Sequence, residues 1–166
     1  MPIWYGMSWY ESVRLTKREM VAGLQEEYVS AEKVMNNTLE WKRPDGTLVV
    51  RHHSSDILEI GPDGSIIITL DGYSTVTTKQ RVNRYLPYGC SIFIEHGDLF
   101  YHKSGLRCVF VEGMKVDRTG VIVGIDLGEL IPYLINRRLK IPRVNLEILS
   151  DELQVELDRM LEEDYA

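Results

Sequence analysis

A chain of 166 residues in which 44% are hydrophobic and 27% are charged has the composition of an ordinary globular domain, which excludes an intrinsically disordered chain. No apolar run approaches the roughly 18 residues that a membrane span needs, and two cysteines exclude a disulfide-based fold, so we expect a cytoplasmic protein with no membrane partner. The formal charge of −6 is concentrated in residues 145–166, where eight acidic side chains outnumber one basic side chain, so the rest of the chain is nearly neutral and is not excluded from binding anions.

The first 37 residues predict an arm and a helix. Residues 1–15 contain two Trp-Tyr pairs, and we expect this segment to be an irregular arm packed on the body of the protein. Thr16 and Glu19 have the spacing of a capping box, which predicts a helix from Lys17 to a plausible end at Asn36 and Asn37. The buried face of this helix is a stripe of residues spaced three or four apart: Met20, Leu24, Tyr28, Ala31 and Met35.

Two Pro-Asp-Gly sequences, at residues 44–46 and 62–64, predict two β-hairpins. Proline presets the first backbone angle of such a turn, the aspartate bonds its own backbone, and glycine takes a positive φ. The predicted strands cover residues 38–42 and 47–52 around the first turn, and residues 57–60 and 65–70 around the second. Because Ile66, Ile67 and Ile68 are apolar on both faces of a strand, the fourth of these strands is predicted to lie inside the sheet.

The second half of the chain predicts a short helix, further strands and two more helices. Thr77 and Gln80 form another capping box, and Pro87 ends the helix that it starts. A second short helix is expected to carry Pro132 in its first turn, and Ser150 is expected to cap a C-terminal helix. The strands predicted between these helices cover residues 91–95, 99–102, 107–111 and 121–125.

These elements predict an α+β fold, an antiparallel β-meander with an inserted short helix and helices at both ends. We expect residues 1–144 to form a single domain and residues 145–166 to form an acidic amphipathic helix. A stripe of four apolar residues runs along that helix, and it either packs on the body of the chain or binds a partner, such as a host protein or a second copy of the chain. The stripe consists of Leu153, Leu157, Met160 and Leu161.

The strongest candidate site is the predicted helix start at residues 75–81. A helix N-terminus presents unpaired N–H groups and a partial positive charge, and nearby hydroxyl and basic side chains complete an anion site for a nucleotide or a nucleic acid. The alternative is that the threonine only caps the helix and that the basic residues form a solvated face. The predicted ligand-binding residues are Arg51, His53, Asp56, Thr77, Thr78, Lys79, Arg81 and Arg84.

Two other sets of residues suggest chemistry more weakly. Cys90, His96, His102 and Cys108 are possible zinc ligands, but they straddle three predicted strands and lack the short paired spacing of zinc ribbons. We therefore expect them to be core and turn residues, and we expect no metal and no cofactor. Residues 52–56 contain the histidine, serine and aspartate of a hydrolytic triad. They follow one another along a strand, where neighbouring side chains point to opposite faces, so they cannot assemble into a triad locally. We therefore expect a protein that is not an enzyme.

Residues 51–83 resemble a module of bacteriophage accessory proteins. The module combines Arg-x-His-x-(Ser/Thr)-Asp, here Arg51 to Asp56, with Thr-Val-Thr-Thr-Lys-x-Arg-x-Asn, here Thr75 to Asn83. The resemblance covers about residues 44–116 and implies a phage-encoded accessory protein in the host cytoplasm, a class whose small members often counter host defences. Three functions stay open: binding of a nucleotide or nucleic acid, binding of a host protein through the acidic C-terminal helix, or a minor structural role in the virion.

Overall fold

The computed structural model describes residues 32–35, 37–70, 76–135 and 144–165. The predicted N-terminal arm and the predicted helix from Lys17 to residue 31 lie outside the described residues. The strands are β1 (Glu32–Met35), β2 (Thr38–Lys42), β3 (Leu48–His52), β4 (Ser55–Ile60), β5 (Ile66–Ile68), β6 (Cys90–Glu95), β7 (Asp98–Lys103), β8 (Leu106–Val109), β9 (Met114–Val116) and β10 (Ile122–Gly124). The helices are α1 (Val76–Tyr85), α2 (Leu127–Ile135) and α3 (Asp151–Tyr165), with a short 3₁₀ turn at Leu146–Ile148.

The described strands form two antiparallel sheets, which confirms the predicted α+β class. The large sheet has the order β1-β2-β3-β4-β5-β9-β10, and β6-β7-β8 form a separate small sheet. The chain therefore leaves the large sheet after β5, forms α1 and the small sheet, and returns as β9 beside β5. Ile66 and Ile68 of β5 are buried and lie opposite Val116 and Met114, so β5 lies inside the sheet, as predicted.

Both predicted hairpins are present. Gly46 and Gly64 have φ angles of 91° and 84°, the positive values that the Pro-Asp-Gly turns require. Asp45 and Asp63 each accept a hydrogen bond from the backbone N–H two residues later, at 2.8 and 3.0 Å. The hydrogen bonds of each carboxylate lower its pKa from the usual value, because they favour the charged form.

The predicted end of the first helix is wrong, because residues 32–35 form strand β1 instead. β1 pairs antiparallel with β2, and Asn37 takes a φ of 55° in the turn that joins them. Asparagine tolerates this left-handed conformation better than most residues do. Backbone pairing with β2 outweighs the helical periodicity here, because helix propensity is a weak preference that tertiary contacts override.

Two helix starts also differ from the prediction. α1 begins at Val76, so Thr77 is a residue of the first turn and not the cap. α2 begins at Leu127, which puts Pro132 in the middle of the helix and not in its first turn. Asp126 precedes α2 and accepts a backbone N–H bond from its first turn at 3.3 Å, so an aspartate supplies the start signal.

The C-terminal helix is capped as predicted, since Ser150 Oγ accepts the N–H of Leu153 at 3.3 Å. Leu157 is 1% exposed, and the other three residues of the apolar stripe are half-buried against the core. The stripe therefore packs on the body of the chain, which was one of its two predicted uses; its binding of a partner stays a prediction. None of the helices that the structure describes is long and apolar enough to cross a membrane.

One cluster of buried side chains connects both sheets with the three helices that the structure describes. Val82 of α1, Leu130 of α2 and Leu157 of α3 belong to it. The side-chain amide of Asn83 binds the edge of the small sheet, where it accepts the N–H of Ile92 at 2.6 Å and donates to the carbonyl of Ile92 at 3.0 Å. These two bonds position α1 against β6.

Candidate anion-binding site

One flank of α1 lies against the first two strands. Arg81 Nε donates to Thr38 Oγ1 of β2 at 3.2 Å, and the Tyr85 hydroxyl donates to the carboxylate of Glu40, two residues further along the same strand. Arg84 approaches the sulfur of Met35 in β1 at 3.4 Å. The start of α1 therefore points toward the turn that joins β1 to β2.

The basic residues of α1 are divided between two flanks of the helix. Lys79 lies one turn before Asn83, which contacts β6, whereas Arg81 contacts β2. At 3.6 residues per turn, Lys79 and Arg81 are about 160° apart around the helix, and the buried Thr78 and Val82 lie between them on the core side. The helix therefore separates Lys79 from Arg81 and buries Thr78, while ligand binding by these residues stays a prediction.

Thr77 and Arg84 share the flank of Arg81, because they lie four residues before it and three residues after it. Thr77 is half-buried and Arg84 is exposed. We call Thr77, Arg81 and Arg84 the cationic flank. It combines a hydroxyl in the first turn of a ten-residue helix with two guanidinium groups, of which that of Arg84 lies in the last turn. Hydroxyl and guanidinium groups both donate hydrogen bonds to phosphate.

His52 lies beneath this flank and was missed among the predicted site residues. It pairs with Thr38 across β2 and β3, and its Nδ1 lies 3.3 Å from the hydroxyl that Arg81 also contacts. His52 is 3% exposed, and its buried Nε2 has no hydrogen-bond partner within the part of the chain that the structure describes. Burial, which is the largest cause, and the positive charges of His53 and Arg81 together lower the pKa of His52 to about 4.

The other predicted residues of β3 and β4 do not join the cationic flank. Arg51 lies opposite Leu39 in the register, so it faces away from Thr38 and His52. Its guanidinium binds the carboxylate of Asp56 at 3.0 Å and a backbone carbonyl of the β3–β4 turn at 2.6 Å. Arg51 and Asp56 therefore hold the turn of their own hairpin.

His53 connects the two turns at this end of the sheet. It takes a φ of 54° in the β3–β4 turn, and its N–H donates to the carbonyl of Asn37 in the β1–β2 turn at 2.8 Å. Its ring meets that of His52 edge-on, with 4.5 Å between the ring centroids. His53 is 2% exposed, so it supports the site from beneath and presents little surface to a ligand.

Carboxylates neutralise several arginines elsewhere in the described chain but not those of the cationic flank. Arg43 pairs with Glu59, Arg51 with Asp56, Arg107 with Glu95, and Arg159 with Glu156 and Glu163. None of the ion pairs found among the described residues includes Lys79, Arg81 or Arg84. On this side of α1, the carboxylate of Glu40 accepts the Tyr85 hydroxyl. Burial and this bond raise the pKa of that hydroxyl, so it stays a neutral donor.

The four possible zinc ligands do not converge. Cys90 and Cys108 are buried, and burial raises the pKa of the Cys108 thiol to about 12. His96 lies in the β6–β7 turn with a φ of 51°, and His102 Nε2 accepts the N–H of Gly105 at 3.0 Å. Across residues 32–35, 37–70, 76–135 and 144–165, no group of three or more His, Cys, Asp or Glu side chains is placed to hold a metal ion.

Comparison with protein families gives a match. A family model described as Kyanoviridae Gp96 protein matches residues 13–117, well over half of the chain and the whole of the segment from β1 to β9. No curated protein and no solved structure matches the chain. The match agrees with the resemblance to a phage protein family, while the particular motifs quoted for that resemblance stay a prediction.

Proposed function

We propose that this chain, which belongs to the Kyanoviridae Gp96 protein family of phage proteins, is a non-enzymatic accessory protein that binds the phosphate groups of a nucleotide or nucleic acid through its cationic flank. The observation that supports the proposal is the absence of carboxylate partners for Arg81 and Arg84 among the described residues, while four other arginines have them. An arginine without a carboxylate keeps its full charge and its forked donors for a ligand.

The position of Arg81 favours a phosphate over a point-like anion. Its Nε is bonded to Thr38, which restrains the guanidinium, and its two terminal nitrogens bond no other described residue. A guanidinium presented in this way matches two oxygens of one phosphate. Arg84, less than one turn further along α1, would reach a neighbouring phosphate, as expected for a ligand with more than one.

Replacing Arg81 and Arg84 together by glutamine is expected to weaken binding of a 20-nucleotide single-stranded DNA, or of ATP, by about tenfold or more, because each charged hydrogen bond contributes about 1.5–3 kcal/mol. Fluorescence anisotropy of the labelled DNA and calorimetry of ATP measure this loss. For the DNA, the salt dependence of affinity is also expected to flatten, since fewer phosphates are neutralised.

The matched control is Lys42→Gln, which removes one exposed charge at the far end of β2 and is expected to leave affinity unchanged. Lys79→Gln tests which flank is used, and it is expected to weaken binding less than Arg84→Gln does. Arg84→Gln alone keeps the bond between Arg81 and Thr38, so its melting temperature is expected to stay unchanged. Weaker binding by this variant would then reflect the lost charge and not a loss of stability. Failure of both probes to bind, or equal affinity of the double variant and Lys42→Gln, contradicts the proposal.

The exposed face of α3 supports a second proposal, binding of a basic host protein. Asp151, Glu152 and Asp158 are exposed on it, whereas its one arginine, Arg159, is occupied by Glu156 and Glu163. Such a face attracts a positively charged surface.

Neutralising Asp158 and Glu162 as Asn and Gln is expected to reduce capture of a host protein by at least half, with an unchanged melting temperature. The measurement is a pull-down from host-cell lysate at low and at 0.5 M salt, where the interaction should weaken. Substitution is the appropriate test because removing α3 would uncover the core around Leu157. Undiminished capture by the double variant contradicts this proposal.

A further inference from the structure

A groove of about 350 Å³ lies between α2 and the link from β8 to β9. Its lining consists of Phe110, Val111, Glu129, Pro132 and Tyr133. None of these residues belongs to α1, so the groove is separate from the cationic flank. Its volume is at the small end of ligand pockets, which suits a single side chain better than a large cofactor.

The groove has one carboxylate in an otherwise aromatic and apolar lining. Glu129, Pro132 and Tyr133 are spaced three and four residues apart, so they form one face of α2, while Leu130 and Ile131 on its other face are buried. Opposite them are the ring of Phe110, which is half-buried, and Val111. The two aromatic rings and the proline supply flat apolar walls beside the carboxylate.

The described charged residues in the lining and next to it in the sequence are acidic. Glu129 is exposed and takes part in none of the ion pairs found within the described segments. Asp126 precedes α2 and is exposed, and Glu112 follows Val111 in the sequence, with its carboxylate accepting the N–H of Leu70 at 3.1 Å. A cation that enters the groove would therefore meet the Glu129 carboxylate, which has no ion-pair partner among the described residues.

We propose that this groove binds an arginine side chain of a protein partner. A guanidinium is planar, so it stacks on an aromatic ring such as Tyr133 or Phe110 while its edge donates two hydrogen bonds to the Glu129 carboxylate. The aliphatic stem of the arginine contacts the apolar wall at Val111 and Pro132. A lysine ammonium is a compact, strongly hydrated charge and uses the flat walls less well.

The test uses the full chain and a short probe peptide, acetyl-Gly-Arg-Gly-amide, titrated to 10 mM while backbone amide signals are followed by NMR. A saturable shift is expected at residues 110, 111, 129 and 133. The same peptide with citrulline in place of arginine has nearly the same shape without the charge, and it is expected to bind at least fivefold more weakly.

Glu129→Gln is expected to weaken binding of the arginine peptide at least fivefold. Tyr133→Leu is expected to weaken this binding further, because it removes the stacking surface. The matched control is Glu152→Gln, which changes an exposed acid in the first turn of α3, as Glu129 lies in the first turn of α2. Absence of shifts at the groove, equal binding of the citrulline peptide, or loss of binding in Glu152→Gln instead of Glu129→Gln would overturn the proposal. None of these readouts depends on phosphate binding at α1.

Discussion

Replacing Gly120 with alanine is expected to lower the free energy of unfolding by about 2–5 kcal/mol, the sum of a left-handed backbone penalty and an overpacking penalty. Gly120 is the last residue of the turn between β9 and β10, with a φ of 94°. A Cβ atom there would lie 2.4 Å from Cys90 Sγ and 3.1 Å from the Tyr101 hydroxyl. Tyr101 also donates to the Gly120 carbonyl at 2.7 Å, so the turn of the large sheet is clamped directly against the small sheet.

Gly105→Ala is the matched control, because Gly105 has a similar φ of 87° but open space where the Cβ would lie. It is expected to cost only the backbone penalty of about 1–2 kcal/mol. Urea unfolding gives the free energy of unfolding of both variants, and the difference between them is the contribution of the steric clash at Gly120. The double variant Gly120→Ala with Cys90→Ala removes the nearest clashing atom and is expected to recover part of that difference. Equal destabilisation by Gly120→Ala and Gly105→Ala would mean that the two sheets do not meet at this turn as described.

The local parts of the fold could be predicted from the sequence because their causes lie within a few residues. The Pro-Asp-Gly turns set both hairpins, and Ser150 sets the start of α3. The pairing of β5 with β9 could not be predicted in this way, because it joins residues about 50 positions apart and β9 has only three residues. The error at β1 has a different cause, because the pairing of β1 with the adjacent strand β2 decides the conformation of residues that also fit a helical stripe.

The candidate site was predicted in part for a similar reason. Arg81 and Arg84 could be found from the charge pattern of α1, but the partner of each arginine depends on where α1 lands on the sheet. Arg51 was predicted as a ligand-binding residue, but it lies on the face of β3 opposite to His52, where it pairs with Asp56. His52 carried the better signal, since it alternates with the buried Val50 and therefore points toward the core.

Acidification is expected to destabilise the protein through His52. The pKa of about 4 in the folded state lies below the ordinary 6.5, because burial penalises the charged ring and because His53 and Arg81 add positive charge. Between these two pH values the unfolded chain binds more protons than the folded protein does. The contribution of His52 is therefore fully present above pH 6.5 and is lost as the pH falls toward 4, by on the order of 2–3 kcal/mol.

Urea unfolding at pH 7, 6, 5 and 4.5 tests this expectation, with His52→Leu as the variant. The free energy of unfolding of His52→Leu is expected to be lower than that of the unchanged protein at pH 7, where its contact with Thr38 is lost, but to fall less steeply with acid. The turn carboxylates Asp45 and Asp63 titrate below their usual 3.8 and so stay charged throughout this range. His96→Asn, at an exposed turn position with positive φ, is the control and should keep the original slope. If the free energy of unfolding of His52→Leu falls with acid as steeply as that of the unchanged protein, protonation of His52 does not cause the acid destabilisation.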